Sequence, residues 1–240
     1  MANNTPFRNS ILIAISFAAL IWGLKCLELL LGMDLYHLGV YPRTQGGLLG
    51  VVTAPLIHGS WEHLVGNTLP TVLLGSMLIY GYPKSRFPAL AGIWLLSGIG
   101  VWLFARSSYH FGASGLTHGM FFYLFVGGIL RRDRRSAALL MVAFYMYGGM
   151  LLTILPSDPG VSFESHFFGA ASGALLAYVF RNWDPKPTRK RYAWERHLAE
   201  EEDMEDEDPI IGDQWRTRTA EIEVADEPAI AAIDTELERP

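Results

Sequence analysis

Apolar residues in the first three quarters of the chain fall into long unbroken runs, without the two-residue alternation of strands. Six runs stand out, at residues 10–31, 61–80, 87–104, 114–130, 137–155 and 165–180. Each approaches the roughly 20 residues that a helix needs to cross about 30 Å of hydrocarbon. The pattern predicts an all-α polytopic membrane protein with six transmembrane helices. The run at 10–31 reads as a span and not a signal peptide, because no small-residue cleavage site follows it. Lys25 and Glu28 interrupt its end three positions apart, where they can pair with each other. The runs at 114–130 and 165–180 are short and begin with polar residues, which is where chemistry is to be sought.

Composition sharpens this. Half of the 240 residues are hydrophobic and only 18% are charged, against about a quarter in soluble domains. Charge is also unevenly spread: residues 1–180 hold 10 Lys/Arg and 6 Asp/Glu, whereas residues 181–240 hold 9 and 18. An ordinary soluble enzyme, a disulfide-stapled secreted domain and a nucleic-acid binder are thereby excluded. The lone Cys26 cannot form an internal bridge. Three regions follow: a short cytoplasmic N-terminus (1–9), a membrane domain (10–180) and a tail (181–240). In the tail, 181–196 is basic with Trp183, Tyr192 and Trp194, suited to anionic headgroups of the bilayer. Beyond Ala199 it is acidic and reads as disordered.

Basic residues set the orientation. Arg8, Lys84, Arg86, Arg131, Arg132, Arg134, Arg135 and Arg181 fall on one set of connections, and the alternate set holds little beyond Arg43 and Arg106. Both termini are therefore expected in the cytoplasm, with the loops 32–60, 105–113 and 156–164 on the other side of a bacterial inner membrane.

Polar side chains that persist at membrane depth are functional candidates. The first group is Gly112-Ala113-Ser114-Gly115. A serine at a helix start lies beside N–H groups that lack intrahelical partners, an arrangement suited to an acyl-transfer nucleophile and its oxyanion. The same serine could simply cap the helix. The second is His166, followed by Gly169 and Gly173 on one helical face. That glycine stripe admits close approach of another helix. If the partner is the helix opened by Ser114, the imidazole comes within general-base reach of the hydroxyl. An interfacial histidine is the plainer alternative. The third group contains His63 and Asn67, four apart on one face, both neutral donors suited to an oxyanion. Asn67 could instead be interhelical glue. A metal site of His58, His63 and His166 is conceivable, but no cysteine or matched carboxylate joins them, so no metal is expected.

Together, His63-x-x-x-Asn67, Gly112-x-Ser114-Gly115 and His166-x-x-Gly169-x-x-x-Gly173 resemble the rhomboid family of intramembrane serine proteases, in order and in their distribution over helices. The segment from Tyr41-Pro42-Arg43 to Leu56-Ile57-His58 also looks like that family's first loop. The resemblance covers roughly residues 10–180 and implies a rhomboid-like bundle. It also implies peptide hydrolysis within or near the transmembrane helices of membrane-anchored substrates. By it Ser114 is the nucleophile and His166 the base, with His63, Asn67 and the Ser114 N–H as oxyanion donors and no cofactor. Gly112, Gly115, Gly169 and Gly173 support that arrangement. No carboxylate is placed to orient His166, since Glu164 precedes it by two residues, so a dyad is expected. His118 stands four residues after Ser114, where the family often has an aromatic ring. It could stack on His166, perturb it or compete as base. The alternative function is a rhomboid-like protein that binds transmembrane helices without cleaving them. A transporter is disfavoured by the lack of paired intramembrane carboxylates or an inverted repeat.

Overall fold

The computed structural model describes residues 6–156 and 160–186. Among them the chain is helical throughout, with one isolated bridge between Val40 and His110 in place of any sheet. Seven α-helices follow in order: α1 (Phe7–Leu31), α2 (Gln45–Thr53), α3 (Trp61–Gly81), α4 (Arg86–Phe104), α5 (Ser114–Arg131), α6 (Arg134–Tyr147) and α7 (Phe163–Val179). Three of them, α1, α3 and α4, are long and apolar enough by length and composition to cross a membrane.

The six predicted runs coincide with α1 and α3 to α7, and α2 is additional. The fifth run departs most from expectation. It does not form one helix: α6 ends at Tyr147, and Gly148–Leu151 continue as a 3-10 turn. The adjacent Gly148 and Gly149 carry no side chain to hold a longer helix together, and glycine is costly in a helix interior. The apolar residues after them belong to the connection. The body also runs past residue 180, where the tail was expected to begin. Asp184 is buried, and its carboxylate accepts from the backbone N–H groups of Lys84 and Ser85. The rest of the tail, including its acidic stretch, lies outside the described residues.

Helix ends follow local chemistry. Gly32, at φ +60°, closes α1, with the Met33 N–H donating to the Glu28 carbonyl. Lys25 and Glu28 pair at 2.9 Å, as their spacing predicts. Ser60, Asp133 and Ser162 cap α3, α6 and α7 with side-chain oxygens. The Arg43 guanidinium donates to the Ala105 carbonyl just beyond α4.

Contacts sort the helix ends into two groups. At one end Phe7 meets Tyr80 at 5.3 Å, the Arg135 guanidinium sits over the Tyr80 ring, and Arg131 donates to the carbonyls of Arg181 and Asp184. At the other, Val40 pairs with His110, the Arg106 guanidinium donates to the Val161 carbonyl at 2.8 Å, and His110 contacts Ser162 at 2.6 Å. The six long segments therefore alternate in direction, while α2 and its flanking turns stay at the second end. Helix α5 is central: Leu116, Met120, Phe121 and Leu124 pack with Leu74 and Leu78 of α3, Ile93 of α4 and Leu176 of α7. Helices α1 and α4 leave leucines and isoleucines exposed on their outer faces. An apolar surface of that extent is suited to lipid and not to water.

The α5–α7 pair positions the site. A Cβ added at Gly169 would lie 2.0 Å from the Gly115 carbonyl oxygen, and one at Gly173 would lie 2.0 Å from that of Gly119. Only glycine lets the two backbones come this close.

Candidate active site

Ser114 is the first residue of α5, and Ala113 before it supplies no side-chain cap. The first N–H groups of the helix therefore have no intrahelical or capping partner. Two interactions hold the approach to Ser114. Gly112, at φ +108°, adopts a backbone conformation that side-chain-bearing residues rarely take, and its N–H donates to the Ala54 carbonyl at 2.9 Å. The Ala113 N–H donates to His58 Nε2 at 3.4 Å. His58 accordingly carries its proton on Nδ1. Burial, with His63 beside it, pushes His58 down to about 4, so the neutral ring needed for that contact is the stable form.

His166 is the fourth residue of α7, buried, one turn inside the helix start. Its Nδ1 lies 2.9 Å from the Thr153 carbonyl oxygen. A carbonyl can only accept, so the proton is on Nδ1 and Nε2 of the neutral ring keeps its lone pair. The His118 ring stacks on His166 at 3.9 Å and 8°, the parallel arrangement that an aromatic residue at that position would give. His118 Nδ1 donates to the Ser114 carbonyl at 2.7 Å, and its Nε2 lies 2.8 Å from the Thr153 hydroxyl.

One cavity of about 370 Å³ is lined by Ser114, His118, His166, Asn67, Thr153 and Met150, among others. Three of the sequence-derived groups thus converge. Asn67 is buried, and its Nδ2 donates to the His63 carbonyl at 3.0 Å, within its own helix. His63 does not line that cavity. Its ring lies edge-on to His58 at 5.1 Å, and its Cε1 is 2.4 Å from where a Gly112 Cβ would be. Gly112 is therefore doubly constrained, by its backbone angle and by the His63 ring. Gly115 faces Ser97 Oγ and the Ser165 carbonyl, 2.9 and 3.1 Å from an added Cβ. Glu164 pairs with Arg106 at 3.4 Å and does not line this cavity. Among the described residues no three His, Cys, Asp or Glu side chains are grouped to hold a metal ion.

A profile of the Rhomboid domain matches residues 45–183, from α2 to just beyond α7. The chain belongs to the rhomboid family. With its apolar helices it is an integral membrane protein of that family. The uncharacterized protein Rv1337 of Mycobacterium tuberculosis is 35% identical to it over 192 residues, 76% of this chain and 78% of the relative. An uncharacterized protein of Mycobacterium leprae is 32% identical over 69% of each chain. The Bacillus subtilis protein YdcA, whose name assigns it provisionally to the rhomboid proteases, is 27% identical over 60% of this chain and 71% of its own.

A residue of this candidate site that sequence reasoning missed is Thr153. The signal was present, since Thr153 is the single polar residue in Gly149-Met150-Leu151-Leu152-Thr153-Ile154-Leu155. The test applied to the other polar residues, persistence in an apolar run, would have selected it.

Proposed function

We propose that the chain is an intramembrane serine endopeptidase that cleaves membrane-anchored proteins within or near a transmembrane helix, through a Ser114–His166 dyad. The observation that carries this reading is the state of His166. Its Nδ1–H is committed to a backbone carbonyl, and its ring lines the same cavity as Ser114. The Nε2 lone pair is then the one free to take a proton. The Thr153 carbonyl does for this base what a carboxylate does in a triad: it fixes tautomer and orientation. The rhomboid-protease name carried by YdcA agrees with it.

In the proposed reaction Ser114 Oγ attacks the peptide carbonyl carbon while its proton passes to His166 Nε2. The oxyanion is met by the N–H of Ser114 at the uncapped start of α5 and by the amide of Asn67, whose Nδ2 carries a second N–H besides the one given to the His63 carbonyl. His63, whose ring does not line the cavity, takes no part in this step. As the C–N bond breaks, His166 returns the proton to the leaving amine. Water then attacks the acyl ester, giving its proton to His166, and Ser114 regains it on release. No step calls for a cofactor. A substrate helix has to unwind locally, because an intact helix keeps its carbonyls in its own hydrogen bonds.

The same proposal has six crossings. Helix α6 with its 3-10 extension, α5 and α7 are the shorter spans; the apolarity of α5 and α7 is lowered by the site residues they carry, and that of α6 by Arg134 and Arg135 at its start. Both termini are cytoplasmic and the site lies toward the opposite face.

Purified full-length protein incubated with a fluorophosphonate probe tests the reading, since only an activated serine reacts. Wild type should label, while Ser114→Ala and His166→Ala should not; Ser114→Ala should melt like wild type, and His166→Ala should stay folded but melt lower for loss of the Thr153 contact and the His118 stack. A correctly folded wild type that binds transmembrane peptides and never labels would instead point to the non-cleaving helix binder.

A further inference from the structure

Two histidines lie beside Ser114, and a serine protease needs one base. His118 comes from the same helix as Ser114 and His166 from the facing one, their rings parallel at 3.9 Å. Stacking alone does not distinguish them, nor does it fix how either ring is turned about the stacking direction. Hydrogen bonds at the ring nitrogens do, and one residue supplies a partner to both rings.

Thr153 follows the 3-10 turn after α6, on the connection to α7. Its carbonyl oxygen is 2.9 Å from His166 Nδ1, and its hydroxyl oxygen is 2.8 Å from His118 Nε2. His118 is held from its other side by the Ser114 carbonyl, to which its Nδ1 donates at 2.7 Å. In the neutral ring Nε2 is then an acceptor, and the Thr153 hydroxyl is the donor, its one proton going to this partner at 2.8 Å in preference to the Met150 carbonyl at 3.4 Å. The bonds form a continuous path from the Ser114 carbonyl through His118 and Thr153 to His166. Along it His118 has both nitrogens occupied, whereas His166 has only Nδ1 occupied.

We propose that Thr153 is the positioning residue that assigns the two histidines their roles, its hydroxyl closing His118 to proton transfer and its carbonyl leaving His166 Nε2 open. The inference rests on the serine-protease reading above and deepens it. It also explains how histidine can stand where an aromatic ring would serve the stack. The second nitrogen, a liability beside a nucleophile, is neutralised by a hydroxyl one loop away. Because both contacts come from a single residue, the placement of the α6–α7 connection sets the registration of the whole pair.

A double-mutant cycle tests this. Thr153→Val removes the hydroxyl at nearly constant shape and keeps the carbonyl, and Thr153→Ser keeps both. Full-length wild type, both single variants, His118→Phe and the Thr153→Val/His118→Phe double variant are compared. The readouts are the rate of fluorophosphonate labelling and the melting temperature in one detergent. Loss of one hydrogen bond predicts labelling slower by about threefold to tenfold in Thr153→Val. Thr153→Ser should stay within about twofold of wild type on the same scale. In the His118→Phe background, where no imidazole remains to be held, Thr153→Val should cost nothing further. Labelling of Thr153→Val at the wild-type rate, or an equal loss in both backgrounds, overturns the proposal. The failure of the protease reading looks different: Ser114→Ala then labels like wild type, or nothing labels. In that event the melting cycle still decides the contact, because Thr153→Val should lower the melting temperature only where His118 is present.

Discussion

His58, His110, His118 and His166 are all buried, and at each the partner of the ring nitrogens dictates which one carries the proton. His58 accepts from Ala113 and so holds the segment before Ser114. His110 donates from Nε2 to the Arg106 carbonyl and accepts at Nδ1 from the Ser162 hydroxyl, which ties the loop before α5 to the cap of α7. Burial lowers both of these loop histidines below the ordinary range, His58 to about 4. The unfolded chain therefore takes up their protons first as pH falls. Stability is full above about 6.5 and declines as pH drops toward about 4, where the His58 contribution is exhausted. Melting measured from pH 7 to pH 4 should show that decline, and His58→Gln should flatten part of it while lowering the plateau. A melting temperature independent of pH over this range would contradict the neutral, hydrogen-bonded rings. At the same scale, Asn67→Ala should lower turnover by about two to three orders of magnitude, the cost of one oxyanion donor, while probe labelling persists. An unchanged kcat would remove Asn67 from the oxyanion site. Ser114, His166 and Asn67 were legible because polar groups in apolar runs are few. His58 was read only as a possible metal ligand, because a capping contact made across 55 positions leaves no local pattern.

Between residues and bundle, the decisive element pair is α5 with α7. The spacing of Gly169 and Gly173 pointed to a close helix partner, and the structure supplies it in the carbonyls of Gly115 and Gly119. Gly169→Ala places its methyl 2.0 Å from a backbone oxygen, which cannot swing away as a side chain could. The helices must part, at a cost of about 1–3 kcal/mol or more. The variant should melt several degrees lower and label at least about tenfold more slowly, because Ser114 and His166 ride on the two helices being separated. Gly23 in α1 has nothing within 4 Å of an added Cβ. Gly23→Ala is thus the control, and its melting should be equal or slightly higher. Equal behaviour of the two variants would show that close approach is not what sets the site. Helix α2 was not predicted, for a related reason. It is only nine residues long, and its inner face is Gly47 and Gly50 against the backbone of residues 39–41 with Val51 beside them, so most of the packing is made by glycines that carry no hydropathy signal. The end of α6 was overextended because apolar residues continue past Gly148 while the helix does not.

At the scale of the whole molecule, alternating helix direction and asymmetric charge are independent observations that both agree with the proposed topology. The contacts group the start of α1, the α3–α4 connection, the α5–α6 connection and the end of α7 at one end. Those are the segments where the basic residues lie. One of those charges is not in solvent: Arg131 is buried, held by Asp133, Ser136 and the carbonyls of Arg181 and Asp184. Which arginine of Arg131-Arg132-Asp133-Arg134-Arg135 folds inward depends on tertiary partners more than 45 residues away, beyond any local pattern. The remaining basic residues still outnumber those at the other end, so the orientation argument survives the loss of one charge. It can be tested with single thiols, because Cys26 is the chain's one cysteine and Cys26→Ser clears the background. Lys84 and Ser107 are exposed and sit on connections at opposite ends of α4. In intact cells a membrane-impermeant maleimide should label Ser107→Cys and reach Lys84→Cys only after permeabilisation. The reverse pattern would invert the protein and put the Ser114 end in the cytoplasm. Labelling of both from outside would mean that α4 does not cross at all, and the six-crossing arrangement would fall with it.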